Sequence, residues 1–164
     1  MAAPVAGSII SVPGTLTFQG ALMGELRDMV FEPHAVFRPI YAEEWAVNVD
    51  AIYCGERPIF RGVLRYPDAD AMANIPAAGA FSFARNQSTT YPGSSMGSRG
   101  GTLIFTPFYS GHPAVKMYFA IPMIDDAAQL QLSMGEEWGL AVSFMGCPDA
   151  NGKVYAVGPI GSLP

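Results

Sequence analysis

A chain of 164 residues has the length of one domain and is long enough to bury a full core without disulfide or metal staples. Half of it is apolar and only 14% is charged, against about 25% in an average soluble domain, yet nowhere does it hold the roughly 18 to 20 uninterrupted apolar residues of a spanning helix. With a net charge of −5 and Lys116 and Lys153 as its only lysines, it lacks the basic face that grips a nucleic-acid backbone, though not the means to repel or tolerate one.

The shortage of charge, with a mean hydropathy of +0.24, is explained if much of the would-be surface is buried against other chains, because obligate interfaces resemble a domain core cut in half. The opening MAAPVAGSIISVPG has neither a basic n-region nor an apolar stretch of export-signal length, so synthesis and retention in a cytoplasm are expected. Cys54 and Cys147 allow a single bridge and, without a secretory context, read as two small buried or half-buried thiols.

Residues 1–24 alternate short apolar pieces with Pro4, Gly7, Pro13, Gly14, Gly20 and Gly24, which predicts an N-terminal arm containing one short strand at 15–19, either disordered or docked on a neighbour. Strands are expected at 27–33 and 35–42, split by Pro33-His34 and followed by a break at Glu43-Glu44. The stretch 46–66, AVNVDAIYCGERPIFRGVLRY, is the most strongly patterned. Val47, Val49, Ala51 and Tyr53 alternate with Asn48, Asp50 and Ile52; beyond Gly55-Glu56-Arg57-Pro58 a second arm alternates through Ile59, Arg61, Val63 and Arg65. That pattern predicts a β-hairpin turning at the Gly-Glu-Arg-Pro segment, with apolar inner faces and polar outer faces that separate a core from a wet space.

A two-turn helix is expected over 68–75, capped by Asp68, with Asp70 in its acidic first turn and Pro76 stopping it. Phe81 and Phe83 mark a short strand. Residues 86–101, NQSTTYPGSSMGSRGG, form the low-complexity segment, whose sixteen residues span at most about 53 Å when extended, enough to reach an adjacent subunit. Strands at 102–109 and 114–122 flank the turn Ser110-Gly111-His112-Pro113, and further strands follow at 128–134, 140–145 and 153–159. In 128–134, Leu130, Leu132 and Met134 face one way, with Gln129, Gln131 and Ser133 opposite. Many short strands and one helix predict a mainly β fold over 25–164, an antiparallel β-sandwich or partial barrel with one short α-helix.

Motifs for chemistry are missing. His34 and His112 lack the spacing of known zinc sites, so no metal is expected. The adjacent pairs Glu43-Glu44, Asp125-Asp126 and Glu136-Glu137 suit solvated turns, because neighbouring strand residues point to opposite faces and cannot share an acid/base task. Gly152-Lys153 lacks the upstream glycine of a phosphate-binding loop. Neither catalytic residues nor a cofactor are expected, and the chain does not read as an enzyme.

Four segments together resemble the tail tube (major tail) proteins of tailed bacteriophages: GELRDMVFEP at 24–33, VDAIYCGERPIFRGV at 49–63, the helix at 68–75, and TLIFTP at 102–107 with EWGLAVSFMGCPDANGKVYAVGPIG at 137–161. The first resembles the strand that follows a small-residue arm, the second a pair of strands around a Gly-Glu turn, and the last a closing hairpin that ends near Ile-Gly. The long loop 86–101 departs from the pattern.

The resemblance implies a virion structural protein that partners itself in rings, commonly hexamers, whose inner sheets join into one oligomeric β-barrel. Stacked rings form the tube through which the genome leaves, with other tail proteins at the tube ends, DNA passing without specific binding, and no membrane-spanning segment. Assembly in the host cytoplasm and residence in the virion tail follow. On this expectation the lumen is lined by the polar faces carrying Asn48, Asp50, Gln129, Gln131 and Ser133, the alternative being that these faces meet bulk solvent outside. Ring stacking is expected from the arm, through Val5, Ile9, Ile10 and Val12, and from the loop, through Tyr91, Met96 and Arg99. Two other readings stay open. One is another ring-forming virion component, namely a tail terminator, a baseplate ring, or the tube of a contractile tail or secretion system. The second is a monomeric β-sandwich binding module using Tyr91, Tyr109 or Trp138.

Overall fold

A computed structural model describes residues 12–42, 47–65, 97, 100–123, 130–131, 139–159 and 161–163. Ten strands run through them: β1 Gly14–Phe18, β2 Ala21–Glu32, β3 Ala35–Ala42, β4 Val47–Glu56, β5 Ile59–Arg65, β6 Gly101–Pro107, β7 Ala114–Met123, β8 Leu130–Gln131, β9 Gly139–Cys147 and β10 Tyr155–Gly158. All pairings are antiparallel, as the alternating apolar pattern predicts. The helix expected at 68–75, the strand at Phe81 and Phe83, and most of the loop 86–101 lie outside the described residues.

Six strands close on themselves in the order β1-β2-β5-β9-β7-β6 and back to β1. Closure falls to β7, which pairs along its whole length with more than one neighbour. Leu103, Ile104 and Phe105 of β6 hold Met117, Lys116 and Val115 on one edge. On the other edge β9 takes residues 119–123 and β10 takes residues 114–117. The turn between β9 and β10 is tied by Asp149, whose Oδ1 accepts the backbone N–H groups of Asn151 at 2.8 Å and Lys153 at 2.7 Å. Those bonds, the Lys153 N–H first among them, hold the Asp149 carboxyl below its ordinary pKa.

Inward positions come from six of the strands. Leu16 and Phe18 (β1), Phe31 (β2), Phe60 (β5), Phe105 (β6), Met117 (β7) and Phe144 (β9) are all essentially inaccessible to solvent. Phe18, Phe144, Phe60 and Phe105 form a chain of tilted ring contacts, with centroids 5.2, 6.4 and 6.1 Å apart. Six strands enclose less room than eight, whose barrel side chains already fill, so this interior is a packed core and not a channel.

Two features differ from the sequence reading. β2 begins at Ala21, well before the expected Arg27, and the strand expected at 15–19 is found as β1, a wall of the barrel. The cause is a pair of β-bulges in β2, one opposite Leu16/Thr17 and one at Arg27/Val30, where Asp28 takes φ +50°. They space the inward residues Met23, Leu26, Met29 and Phe31 by three, three and two, which hides the period-2 signal. Second, β4 and β5 do not form a hairpin. β4 pairs with β3, and β5 lies between β2 and β9. The Gly-Glu-Arg-Pro segment is therefore a joint within one long ribbon, crossed by a bond from Arg57 N–H to His34 O of 3.1 Å.

A Cβ added at Gly14 would stand 2.4 Å from the backbone oxygen of Thr106 and 2.6 Å from the Phe105 ring. Gly14→Ala is expected to lower stability by about 1–3 kcal/mol through this clash, and Phe144→Ala by about 3–5 kcal/mol through the cavity it opens. Urea unfolding of the two variants checks both values, with Phe37→Ala as a solvent-exposed control expected to cost under about 1 kcal/mol.

Candidate assembly interface

β3 and β4 form a two-stranded sheet separate from the barrel sheet. Their described large apolar side chains are not spent on a core. Phe37 is 58% exposed and Tyr53 is 54% exposed, and Ile40, Tyr41 and Ile52 are exposed as well. Phe37 stands opposite Tyr53 and Pro39 opposite Ala51, an apolar stretch with the two rings 5.6 Å apart that is bounded by Ala35 opposite Glu56 and Tyr41 opposite Asn48. The other face is mixed, with Arg38 opposite Ile52 and Ile40 opposite Asp50. Among the described residues neither outer edge of this ribbon pairs with another strand. Pro39, which has no N–H to give a ladder, is tolerated because it sits on such an edge.

The ribbon leaves the barrel at Pro33-His34 and Arg57-Pro58. His34 takes φ +39° and its Nε2 lies 2.8 Å from Glu32 Oε2. At the base of β4, the Glu56 carboxylate neighbours the phenols of Tyr53 and Tyr155. Tyr155 is half-buried and packs edge-on against Phe31 with centroids 5.0 Å apart. Burial first, and then the neighbouring Glu56 carboxylate, push the Tyr155 phenol up to about 12; Tyr53 is raised by the same causes in the same order.

The expected lumen residues fall on two separate elements. Asn48 and exposed Asp50 belong to β4, where Asp50 Oδ1 accepts the N–H of Ala51 at 2.7 Å. Gln131 belongs to β8, paired with Gly139 at the end of β9 opposite to the end at which the ribbon departs. Gln129 and Ser133 lie outside the described residues. Of the stacking residues, Val12 is half-buried just ahead of β1, whereas Val5, Ile9, Ile10, Tyr91, Met96 and Arg99 lie outside the described residues. Tyr109 is exposed beside His112, next to a groove of about 290 Å³ lined by Ser110, Gly111, His112, Pro113 and Pro159. Tyr91 and Trp138 are outside the described residues.

Sequence reasoning missed the exposed aromatic pair and the placing of Glu56 near Tyr155. Alternation placed Tyr53 on an inner face, because a period of two cannot distinguish a side chain turned toward a core from one turned toward another molecule. Pro39 within an otherwise good strand was the available signal, since it marks an edge. Both thiols are free: Cys54 is exposed on the ribbon and Cys147 is half-buried. Among the described residues no group of three or more His, Cys, Asp or Glu side chains gathers to hold a metal, and no helix is long and apolar enough to cross a membrane.

The burial of the Tyr155 phenol beside Glu56 has a pH signature. Because the folded state raises the Tyr155 pKa above its ordinary 10, its contribution is intact below pH 10 and is lost as pH rises toward about 12. Ultraviolet titration should show a tyrosinate step near pH 12 that Tyr155→Phe removes. No protein-family model and no curated protein matches the chain.

Proposed function

We propose that this protein is a virion structural subunit that assembles into stacked, hexameric rings forming the tail tube of a tailed bacteriophage, a conduit for genome delivery. The observation that carries the reading is the projecting ribbon, with exposed Phe37, Ile40, Tyr41, Ile52 and Tyr53 and two edges that no described strand pairs. Exposed apolar patches and unpaired strand edges are liabilities in a monomer and assets at an interface. The filled barrel supports the same reading in another way: any conduit has to lie between protomers, where joined sheets of several subunits make a ring wide enough for water and DNA. A net charge of −5 suits a passage along which phosphates slide without salt-sensitive attachment.

In this reading Asn48, Asp50, Gln129, Gln131 and Ser133 face the lumen, while the N-terminal arm and the loop 86–101 join successive rings. The other ring-forming virion components differ by stopping after one ring. The groove beside exposed Tyr109 favours a second reading, a monomeric binding module that seats a ligand there.

Negative-stain electron microscopy beside a sizing column tests the choice. Hollow tubes or stacked rings are the expected result, single rings would indicate a terminator or baseplate role, and a monomer of 17.4 kDa at every concentration would overturn assembly. Phe37→Ser with Tyr53→Ser should abolish rings while the barrel keeps its unfolding midpoint. Lysine at Asp50, Gln129 and Gln131 should slow genome ejection from otherwise intact tails, and unchanged ejection kinetics would remove those residues from the lumen.

A further inference from the structure

β1 begins at Gly14 opposite Pro107, and the ladder runs one residue beyond the strand, since the Phe108 N–H donates to Pro13 O at 3.1 Å. Carried on in the same register, Val12 and Ser11 come opposite Tyr109 and Ser110. Val12 is half-buried, which agrees with that course. The chain that precedes β1 is thus directed along the turn between β6 and β7. Ser110 is the first residue of the groove lined by Ser110, Gly111, His112, Pro113 and Pro159.

Both walls of the groove are set by turns. On one side His112 N–H reaches Tyr109 O at 3.4 Å; on the other, Pro159 O accepts the backbone N–H and the Oγ–H of Ser162 at 3.1 and 2.8 Å. The lining holds no Asp, Glu, Lys or Arg. Phe108, Tyr109 and Val157 are exposed, each within two residues of a lining residue. Among the exposed large apolar residues of the described chain, only Leu22 lies away from both this rim and the ribbon. An exposed apolar patch of this kind marks a surface that something covers.

The segment directed there fits the groove in chemistry and in length. Residues 1–11 lie outside the described residues; their sequence carries no charged side chain and holds two isoleucines, Ile9 and Ile10, between Ser8 and Ser11. Residues 8–11 span at most about 14 Å when extended, enough to run the length of the four-residue turn beside them. We propose that the groove seats the chain's own N-terminal arm: residues 8–11 run antiparallel to 110–113 and lay Ile9 and Ile10 against the apolar lining. The seat lies within one chain and does not need assembly. On the assembly reading it leaves residues 1–7 to reach a neighbouring ring and fixes the point from which they start.

The test uses the full chain carrying Cys54→Ser and Cys147→Ser, kept below the concentration at which it assembles, so that the outcome does not depend on rings. Ser11→Cys with Ser110→Cys is expected to oxidise to an intrachain disulfide. It is read as a monomer on a non-reducing gel and, after trypsin, as a link between peptides 1–27 and 100–116. In a second variant, Ile9→Asp with Ile10→Asp should raise the rate at which diethyl pyrocarbonate modifies His112 by about tenfold, less than the worth of two buried isoleucine side chains. The rate at His34, exposed on the ribbon joint, and the thermal midpoint should stay unchanged. A disulfide-linked dimer as the main product would place the arm on a second copy, and an unchanged His112 rate would leave the groove to another ligand. Either result, or the absence of any cross-link, overturns the proposal.

Discussion

The structure depends on one constraint, that a six-stranded barrel has no spare volume inside. Five phenylalanines from five different strands are buried in it, and the rings of Phe18, Phe144, Phe60 and Phe105, linked at 5.2 to 6.4 Å, leave no axis open. Once the interior is committed to packing, recognition and passage have to be arranged on the outside of the barrel or between barrels. The bulges in β2 belong to the same constraint, since the added twist lets a short sheet bend back far enough for β6 and β9 to share β7.

What the barrel cannot use, it exports. Among the described residues, most of the exposed large apolar side chains lie on β3 and β4, with Leu22, Phe108, Tyr109 and Val157 elsewhere. A two-stranded ribbon alone is marginal in water, so its order comes from its root, where the Arg57 N–H bond to His34 O and the Gly146 N–H bond to Pro58 O connect it to the barrel. The Asp149 turn contributes from a distance, because it sets the course of β10 and hence the place of Tyr155.

Strand identity was legible from local pattern. The strands at 35–42 and 114–122 were read almost to the residue, because alternation over eight or more residues is a strong signal and the Ser-Gly-His-Pro turn punctuates it. Partners were not legible. The Gly-Glu-Arg-Pro segment has the composition of a hairpin turn, yet the strands on its two sides pair elsewhere, since a two-stranded ribbon that crosses out of a barrel puts a joint where a turn would also fit. β2 was read short because its bulges move the inward residues to a spacing that no simple template detects.

The sequence by itself determined a mainly β, antiparallel domain with more apolar surface than one core needs, because composition and alternation are properties of the chain that survive in any arrangement. Only the tertiary structure decided that six strands close into a filled barrel, that Tyr53 and Phe37 face outward, and that Tyr155 of β10 packs on Phe31 of β2. The physical reason is the same in all three cases. Which face of a strand meets the core, and which strand lies beside it, are set by contacts between residues far apart in the chain, and a bulge of one residue reverses the first and breaks the period of two from which it would be read.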